Sequence, residues 1–203
     1  MLWHITESDL KNNPLSENQH AFRPGHSTES AALHVINKIE IAFEQNKYAI
    51  GTFIDISGAF DRVSGDAIIQ SMLERGVSDQ IILWYQHYIK NRISSLTVQN
   101  TSKTKTISEG CPQGRCLSTL AWNIVFNKLL EKLKHWNVTI TGFADDAALI
   151  AIGDHLGPII KQLNMALKIA NTWAKEQSLE ISKEKLAQFF LPVKENLNGQ
   201  KLN

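Results

Sequence analysis

The sequence predicts an α+β fold in which helices back an antiparallel sheet. Runs with helical periodicity alternate with short strand-like runs, and several of these strands are joined by only a few residues, as antiparallel hairpins are. The chain shows no repeat, low-complexity tract or internal linker. At 203 residues and 43% hydrophobic composition it can bury one sizeable core or two small ones, and we expect one compact unit.

The first elements run from a polar tail to a strand that ends on an acid. Residues 1–20 are polar and irregular with a turn signal at 12–14, and we expect 1–13 to be a tail or a cut edge outside the folded unit, 14–191. Ser27 can cap a helix whose apolar residues recur at helical spacing to about Gln45. The mostly apolar run 48–55 then predicts a buried strand whose last residue is an aspartate.

The rest of the chain continues this alternation. Small residues after the first strand predict a turn, and three later hairpins are expected. The remaining predicted elements are helices over 66–75 and 78–91, a hairpin of strands 93–99 and 103–107, a loop over 110–114, a helix capped by Ser118, a hairpin of strands 138–141 and 147–152, a helix over 158–176, a hairpin of short strands 179–181 and 186–191, and a C-terminal tail, 192–203.

Composition and charge exclude some classes of protein. No segment approaches the ~20 apolar residues of a membrane span, and the N-terminus lacks the features of a signal peptide. We therefore expect an intracellular protein, cytoplasmic or nuclear, that has no membrane partner. Cys111 and Cys116 are too few for a disulfide framework and match no zinc spacing.

The net charge of +1 does not by itself indicate a nucleic-acid-binding protein. The distribution of charge is more informative, because residues 90–115 carry five basic side chains against one acid, Glu109. This basic segment is either a contact for nucleic acid or a solvated hairpin face.

Two adjacent carboxylates, Asp145 and Asp146, stand between two strand-like apolar runs. The segment is typical of a β-hairpin with acid at its turn. Ionised carboxylates side by side repel each other, and burying one without a partner costs several kcal/mol or forces it to take up a proton. A hydrophobic core gives no reason for this pair, whereas a divalent cation would resolve the conflict.

A third carboxylate, Asp55, completes a metal site if its strand and the acidic hairpin are neighbours in the sheet. Mg²⁺ prefers oxygen ligands and binds through one or two carboxylates plus substrate phosphates. Two such ions stabilise the entering and leaving oxygens of an in-line phosphoryl transfer. Because side chains alternate along a strand, Asp145 and Asp146 should point apart. We therefore expect Asp55 and Asp145 to be the principal ligands, with Asp146 weaker or shared.

Five segments together resemble one enzyme family. In chain order they are 19–28, 53–61 with the sequence FIDISGAFD, 110–114 with GCPQG, 143–146 with FADD, and 182–190. Each is a weak motif alone, but their order resembles the core of a reverse transcriptase of the non-LTR (LINE-like) retrotransposon type. The resemblance covers about residues 14–191.

The resemblance implies a fold and a reaction. The fold is a polymerase palm, an antiparallel sheet backed by helices, with partial fingers and with the thumb missing. The reaction is RNA-directed DNA synthesis, in which deoxynucleoside triphosphates are added to the 3′-hydroxyl of a DNA primer on an RNA template. Two Mg²⁺ ions, or Mn²⁺ in their place, are the implied cofactors.

The resemblance also implies roles for individual residues. Asp55, Asp145 and Asp146 match the catalytic, metal-binding carboxylates. The other implied roles are a backbone contact to metal at Ile56, triphosphate contacts at Ser57, Gly58 and Ala59, a gate against the ribose 2′-hydroxyl at Phe60, a nucleotide contact at Gln113, a pyrophosphate contact at Lys185, and nucleic-acid contacts at Arg23, Pro112, Gly114 and Arg115.

The sequence departs from the family pattern at two motifs. After Pro-Gln-Gly the family continues with a small residue and Leu-Ser-Pro, whereas Arg115 and Thr119 replace the small residue and the proline here. Near Lys185 the usual Asn-Pro-x-Lys-Thr becomes Ser-Lys-Glu-Lys-Leu, residues 182–186. The upstream fingers and downstream thumb of the family do not fit within the chain, so we expect a fragment with little processive synthesis.

Two alternatives remain at this point. An RNA-dependent RNA polymerase shares the palm but usually has glycine before the paired acids and lacks an aromatic gate, and both Ala144 and Phe60 argue against it. The second alternative is an inert or domesticated nucleic-acid-binding remnant of a retroelement.

Overall fold

The computed structural model describes residues 4–90, 92–107, 109–112, 114–182 and 186–191. An N-terminal helical segment, Ile5–Asp9 and Leu10–Asn12, precedes the main elements. In chain order these are α1 (Thr28–Glu44), β1 (Tyr48–Ser57), α2 (Ala59–Arg62), α3 (Gly65–Arg75), α4 (Asp79–Lys90), β2 (Arg92–Val98), β3 (Thr101–Ile107), α5 (Cys116–Lys134), β4 (Val138–Phe143), β5 (Asp146–Gly153), α6 (Leu156–Glu176), β6 (Glu180–Ile181) and β7 (Ala187–Leu191).

The chain forms two compact units, although one was expected. The helical unit comprises residues 1–15, 58–128 and 174–179, and the sheet unit comprises 16–57, 129–173 and 180–203. The mixture of helices with an antiparallel sheet confirms the predicted α+β class.

The sheet unit is built around β1, which pairs antiparallel on both of its edges. β5 lies along one edge and is followed by β4, while β7 and β6 share the other edge. Residues along β1 alternate, so that Thr52, Ile54 and Ile56 are buried on one face and Asp55 lies on the other. Helix α1 packs across β4, β5 and β1.

One glycine in β1 is required by close packing. A Cβ at Gly51 would overlap the ring of Phe189, its cross-strand partner on β7. The same ring contacts Phe53, with 5.4 Å between ring centroids. These contacts hold β7 in register on the edge of β1.

Capping interactions confirm the start of α1. The Ser27 hydroxyl accepts from the Ser30 amide at 3.2 Å, and the Ser30 hydroxyl accepts from the Ser27 amide at 2.9 Å. The two helices predicted on either side of Gly76 are also present as α3 and α4, and the positive φ of Gly76 ends α3.

The structure corrects two predictions, one at the N-terminus and one at the start of α5. The N-terminal segment is helical rather than irregular, with Ile5 and Leu10 buried, because two well-spaced apolar residues suffice to anchor a short helical turn. Helix α5 begins at Cys116, and the Arg115 carbonyl accepts from the Ser118 amide, so Ser118 lies inside the helix and is not its cap.

The last two strands do not form the predicted hairpin. Both β6 and β7 pair antiparallel with β1, so they run in the same direction and cannot pair with each other as a hairpin. The two apolar segments instead pair with the edge of β1 that β5 leaves open. This pairing places Glu180 at the end of β1, opposite Ser57.

Candidate active site

The candidate active site lies where β1 meets the β4–β5 hairpin. The register places Asp55 directly opposite Asp146, the first residue of β5. Directly opposed residues of an antiparallel pair project from the same face of a sheet, with Cβ atoms roughly 5 Å apart. The first acidic strand and the acidic hairpin are therefore neighbours, which is the condition set above for a metal site.

Asp145 occupies a different position, in the turn between β4 and β5. Phe143 pairs with Asp146, which leaves Ala144 and Asp145 as a two-residue turn. Ala144 has a φ of 55°, a left-handed conformation that a two-residue hairpin turn requires and that favours glycine. The Asp145 carbonyl accepts from the Ile56 amide at 3.1 Å, which ties the turn to β1.

This geometry reverses the expected order of the paired acids within the sheet. Alternation along a regular strand predicts that Asp145 lies beside Asp55, but this holds only if both acids of the pair lie in the strand. Because Asp145 lies in the turn, Asp146 is the cross-strand neighbour of Asp55. Which carboxylates bind metal stays a prediction for all three.

The three carboxylates do not by themselves enclose a metal ion. Among the described residues, no group of three or more histidine, cysteine or acidic side chains is already arranged to enclose an ion. A pair of carboxylates on one sheet face suits Mg²⁺ nonetheless, because this ion keeps several waters and completes its coordination with substrate phosphates. These carboxylates would therefore need waters and substrate phosphates to complete the coordination of an ion.

A fourth carboxylate, Glu180, lies at the same end of β1 and was missed by the sequence analysis. Glu180 on β6 is opposite Ser57, and Ser57 shares a face of β1 with Asp55. The Ser182 amide donates to the Asp55 carbonyl at 2.9 Å, which fixes the chain beside this strand end. The alternation of Leu179, Glu180 and Ile181 was the signal that could have identified it.

The segment predicted to lie beneath a triphosphate changes from strand to helix. Ile56 and Ser57 end β1, and the Ile56 amide is already used by the Asp145 carbonyl. Gly58 has a φ of 61°, and its carbonyl accepts from the Asp61 and Arg62 amides at 3.0 and 2.9 Å. A left-handed glycine is thus what allows the chain to leave the strand and begin α2 at Ala59, which is buried.

Phe60, the predicted sugar gate, belongs to the helical unit. Its ring is half-buried and contacts Trp122, with 5.7 Å between centroids. Its carbonyl accepts from the Cys111 amide at 2.6 Å, and a Cβ at Gly110 would lie 2.6 Å from the same carbonyl oxygen. Gly110, at the start of the Pro-Gln-Gly loop, therefore packs directly against the backbone of α2, and no larger residue fits there.

The predicted nucleic-acid contacts have mixed environments. Pro112 is half-buried, whereas Gly114, with a φ of 77°, and Arg115 are exposed before α5. Arg23 donates through Nη1 to the Ser16 and Gln19 carbonyls, so at least part of its guanidinium holds its own loop. Two further predicted contacts, Gln113 and Lys185, lie outside the described residues.

Three histidines cluster where α1 meets β4. The His20 ring lies 5.0 Å from that of His26 and 5.8 Å from that of His34, between centroids. His34 Nδ1 is 2.9 Å from Thr141 Oγ1 on β4. Burial lowers the pKa of His20, with further contributions from His26, His34 and Arg23, and burial and nearby Lys38 lower the pKa of His34.

No helix among the described residues is both long enough and apolar enough to cross a membrane.

Comparisons with known proteins identify the family of this chain. Residues 2–199 match the family described as reverse transcriptase (RNA-dependent DNA polymerase). The chain is 28% identical over 177 residues to a retrovirus-related Pol polyprotein from the type-1 retrotransposable element R1 of Bradysia coprophila, covering 87% of this chain and 17% of that protein. It is 27% identical over 175 residues to the RNA-directed DNA polymerase from mobile element jockey of Drosophila melanogaster, covering 83% and 19%.

A solved structure supports the fold. Telomerase from Candida tropicalis, in complex with the TWJ fragment of telomeric RNA, aligns with a TM-score of 0.72 and 13% identity over 93% of this chain and 32% of that chain. At this identity the likeness concerns the fold alone, and it is consistent with a polymerase palm. The family match spans nearly the whole chain and confirms the resemblance drawn from its motifs: the chain belongs to the reverse transcriptase (RNA-dependent DNA polymerase) family, and its relatives include R1 and jockey non-LTR retrotransposon proteins.

Proposed function

We propose that this chain carries the two-metal nucleotidyl-transfer site of a retroelement RNA-directed DNA polymerase. The observation that carries the proposal is the register that sets Asp55 opposite Asp146, with Asp145 in the adjoining turn. Nothing in hydrophobic packing favours three carboxylates at one strand end, whereas oxygen ligands for a divalent cation explain all three.

The positions of the three carboxylates support this proposal. Asp55 and Asp145, the principal ligands expected from the sequence, together with Asp146, the cross-strand neighbour of Asp55, would hold the metal ions. Two bound Mg²⁺ ions, or Mn²⁺, would supply the positive charge that stabilises the entering and leaving oxygens of the transfer. The hydrogen bond from the Ile56 amide to the Asp145 carbonyl keeps the turn fixed against β1.

The substrates follow from the reaction of the family. We infer an RNA template, a DNA primer and deoxynucleoside triphosphates, with Ser57, Gly58 and Ala59 near the triphosphate and Phe60 beside the sugar. Arg23, Pro112, Gly114 and Arg115 are retained as proposed nucleic-acid contacts, and Gln113 and Lys185 as proposed nucleotide contacts. An intracellular location, cytoplasmic or nuclear, likewise stays a prediction.

A primer-extension assay with the whole chain tests the site. Asp55→Asn should lower single-nucleotide incorporation on an RNA template by about 10³-fold, which corresponds to about 4 kcal/mol. The control is Asp154→Asn, which removes an exposed carboxylate just beyond the other end of β5. Mn²⁺ binding, followed by electron paramagnetic resonance, should weaken in Asp55→Asn and be unchanged in the control. Equal loss in both variants, or in neither, would overturn the assignment.

The choice of nucleotide separates two polymerase classes. If Phe60 excludes the ribose 2′-hydroxyl, Phe60→Ala should raise incorporation of ribonucleotides relative to deoxynucleotides at least about tenfold, since the apolar ring offers that hydroxyl no partner. Trp122→Phe, which alters the ring packed against Phe60, serves as a control for disturbed packing. An RNA polymerase would accept ribonucleotides before the substitution and show no such change.

A nucleic-acid-binding remnant is the second candidate function. The observation that favours it is that no ready-made metal-enclosing group exists among the described residues. A remnant would bind nucleic acid equally well with Asp145→Ala and would show no metal-dependent extension. Metal-dependent extension that Asp145→Ala abolishes would reject this alternative.

A further inference from the structure

The β2–β3 hairpin is the most exposed regular structure among the described residues. The two strands pair with each other over seven residue pairs, from Arg92 with Ile107 to Val98 with Thr101, and form a sheet of their own. Every side chain between those ends is exposed. Leu96 is 68% exposed and Ile93 is 72% exposed, which is unusual for large apolar side chains in a sheet.

The hairpin has two chemically different faces. The register sets Leu96 opposite Lys103 and Ser94 opposite Lys105, so these four side chains share one face. The opposite face carries Ile93 and the hydroxyl side chains Ser95, Thr97, Ser102, Thr104 and Thr106, and it has no charged residue. We call the first of these the lysine face.

Charge identifies the kind of partner. No acidic residue occurs from Arg92 to Ile107, and neither Lys103 nor Lys105 forms a salt bridge among the described residues. Lysines together with serine and threonine hydroxyls are the side chains that contact phosphate oxygens of nucleic acids.

A cavity of about 780 Å³ lies along the lysine face, and carboxylates also line it. Its lining includes Leu96, Lys103 and Lys105, and it also includes Asp61 and Glu109. Lys103 lies near the tip of the hairpin, two pairs from Val98 and Thr101, whereas Glu109 follows the base of β3. The four residue steps from Lys103 to Ile107 span ~13 Å, beyond the ~10 Å over which exposed charges interact at 0.1 M salt. The hairpin tip, where Lys103 lies, is thus the part of β3 on which Glu109 has little electrostatic effect.

We propose that the lysine face binds the phosphodiester backbone of a nucleic-acid strand, with Leu96 packing against its sugars and bases. This inference deepens the proposed function, since it takes the substrate of a polymerase to be the ligand, and it assigns the contact to residues that no motif of the family analysis named.

Anisotropy of a fluorescein-labelled single-stranded RNA, titrated with the whole chain between ~50 and ~200 mM salt, tests the proposal. The double variant Lys103→Glu/Lys105→Glu should lower the slope of log affinity against log salt by about 1.4, which is two phosphate contacts at ~0.7 each. The control is Lys161→Glu/Lys168→Glu, which makes the same charge change at two exposed positions of α6. Its slope should match the wild type.

A second pair of variants tests which face is used. Leu96→Ser should weaken binding several-fold, whereas Ile93→Ser, equally exposed on the opposite face, should not. Neither substitution touches a buried residue, and urea unfolding of both variants verifies that they fold. Equal effects of the two, or equal effects of the two lysine double variants, would overturn the proposal. Hairpin variants that alter self-association by sedimentation but leave RNA binding unchanged would also overturn it and point to a second copy of the chain.

Mn²⁺ binding by the same proteins separates this inference from the proposed function. The inference fails alone if Asp55→Asn weakens Mn²⁺ binding while the lysine-face variants bind RNA as the controls do. The proposed function fails alone if the lysine-face variants lose RNA binding while Asp55→Asn binds Mn²⁺ as the wild type does. An RNA–DNA hybrid in place of the single strand reports which form of nucleic acid the face prefers.

Discussion

The β4–β5 and β2–β3 hairpins have the same kind of turn and differ in their surroundings. Each is closed by two residues, the first of which has a positive φ, 55° at Ala144 and 53° at Gln99. The β4–β5 hairpin is continued by β1 and covered by α1, whereas β2 and β3 pair only with each other among the described residues. Local turn geometry therefore does not decide what a hairpin can do.

The two hairpins differ in burial. A shift of one residue in the pairing of β5 would move Leu149, which is fully buried, to the opposite face of the sheet. The same shift would remove Asp146 from the side of Asp55. The hydrophobic core thus enforces the position of the acids. In the β2–β3 hairpin no such restraint exists, and its exposed faces are available for contacts with another molecule.

The largest expected difference between the hairpins is in their contribution to stability. Leu149→Ala should lower the free energy of unfolding by about 2–5 kcal/mol, because it removes a buried side chain and leaves a cavity. Leu96→Ala should change it by less than about 0.5 kcal/mol, since this leucine is 68% exposed. Urea unfolding followed by circular dichroism measures both. Similar losses in the two variants would show that the β2–β3 hairpin is packed against something in solution.

Much of this contrast could be predicted from the sequence. Alternation and turn residues located both hairpins, and the acids at 55, 145 and 146 indicated a metal site without any structure. Periodicity did not show that Asp145 leaves the strand for the turn and that Asp146 is the cross-strand neighbour of Asp55, whereas the ranking of the two as metal ligands stays a prediction. The predicted hairpin of β6 with β7 was wrong for a related reason, since the sequence of a short strand does not show which strand it pairs with. Glu180 was missed for the same reason.

A smaller difference is expected in the response to pH. Burial lowers the pKa of His20 and His34 from the usual 6.5, so the folded chain resists protonation that the unfolded chain accepts. Stability is therefore fully present above pH 6.5 and is lost as the pH falls toward the lowered values, by at most about 1.4 kcal/mol per pH unit for each histidine. Urea unfolding at pH 7.5 and 5.5 should show this loss.

His34→Gln provides the control for the pH experiment, because an amide can still bond to the Thr141 hydroxyl but does not titrate. The variant should lose part of the pH dependence and keep most of the stability at pH 7.5. The β2–β3 hairpin contains no histidine, so its contribution should not change over this range. A pH dependence identical in wild type and His34→Gln would contradict the role given to this residue.

The smallest expected effect is at the turns themselves. Ala144→Gly should raise the free energy of unfolding by up to about 1 kcal/mol, because relief of the left-handed alanine, worth roughly 1–2 kcal/mol, exceeds the added entropy of the unfolded chain. Gln99→Gly relieves the same conformation in a hairpin that can open without the rest of the chain, so its effect on global unfolding should be near zero. Urea midpoints of both variants, compared at pH 7.5, test this difference.

Mn²⁺ binding by the same two variants tests whether the turn of the β4–β5 hairpin positions the acids. Strain at Ala144 persists because pairing to β1 and the hydrogen bond from Ile56 to the Asp145 carbonyl hold the turn in place. If that strain orients Asp145, Ala144→Gly should stabilise the fold yet weaken Mn²⁺ binding several-fold, whereas Gln99→Gly should leave Mn²⁺ binding unchanged. A glycine variant that is more stable and binds Mn²⁺ as tightly as the wild type would show that the core alone positions the acids and that the alanine plays no part.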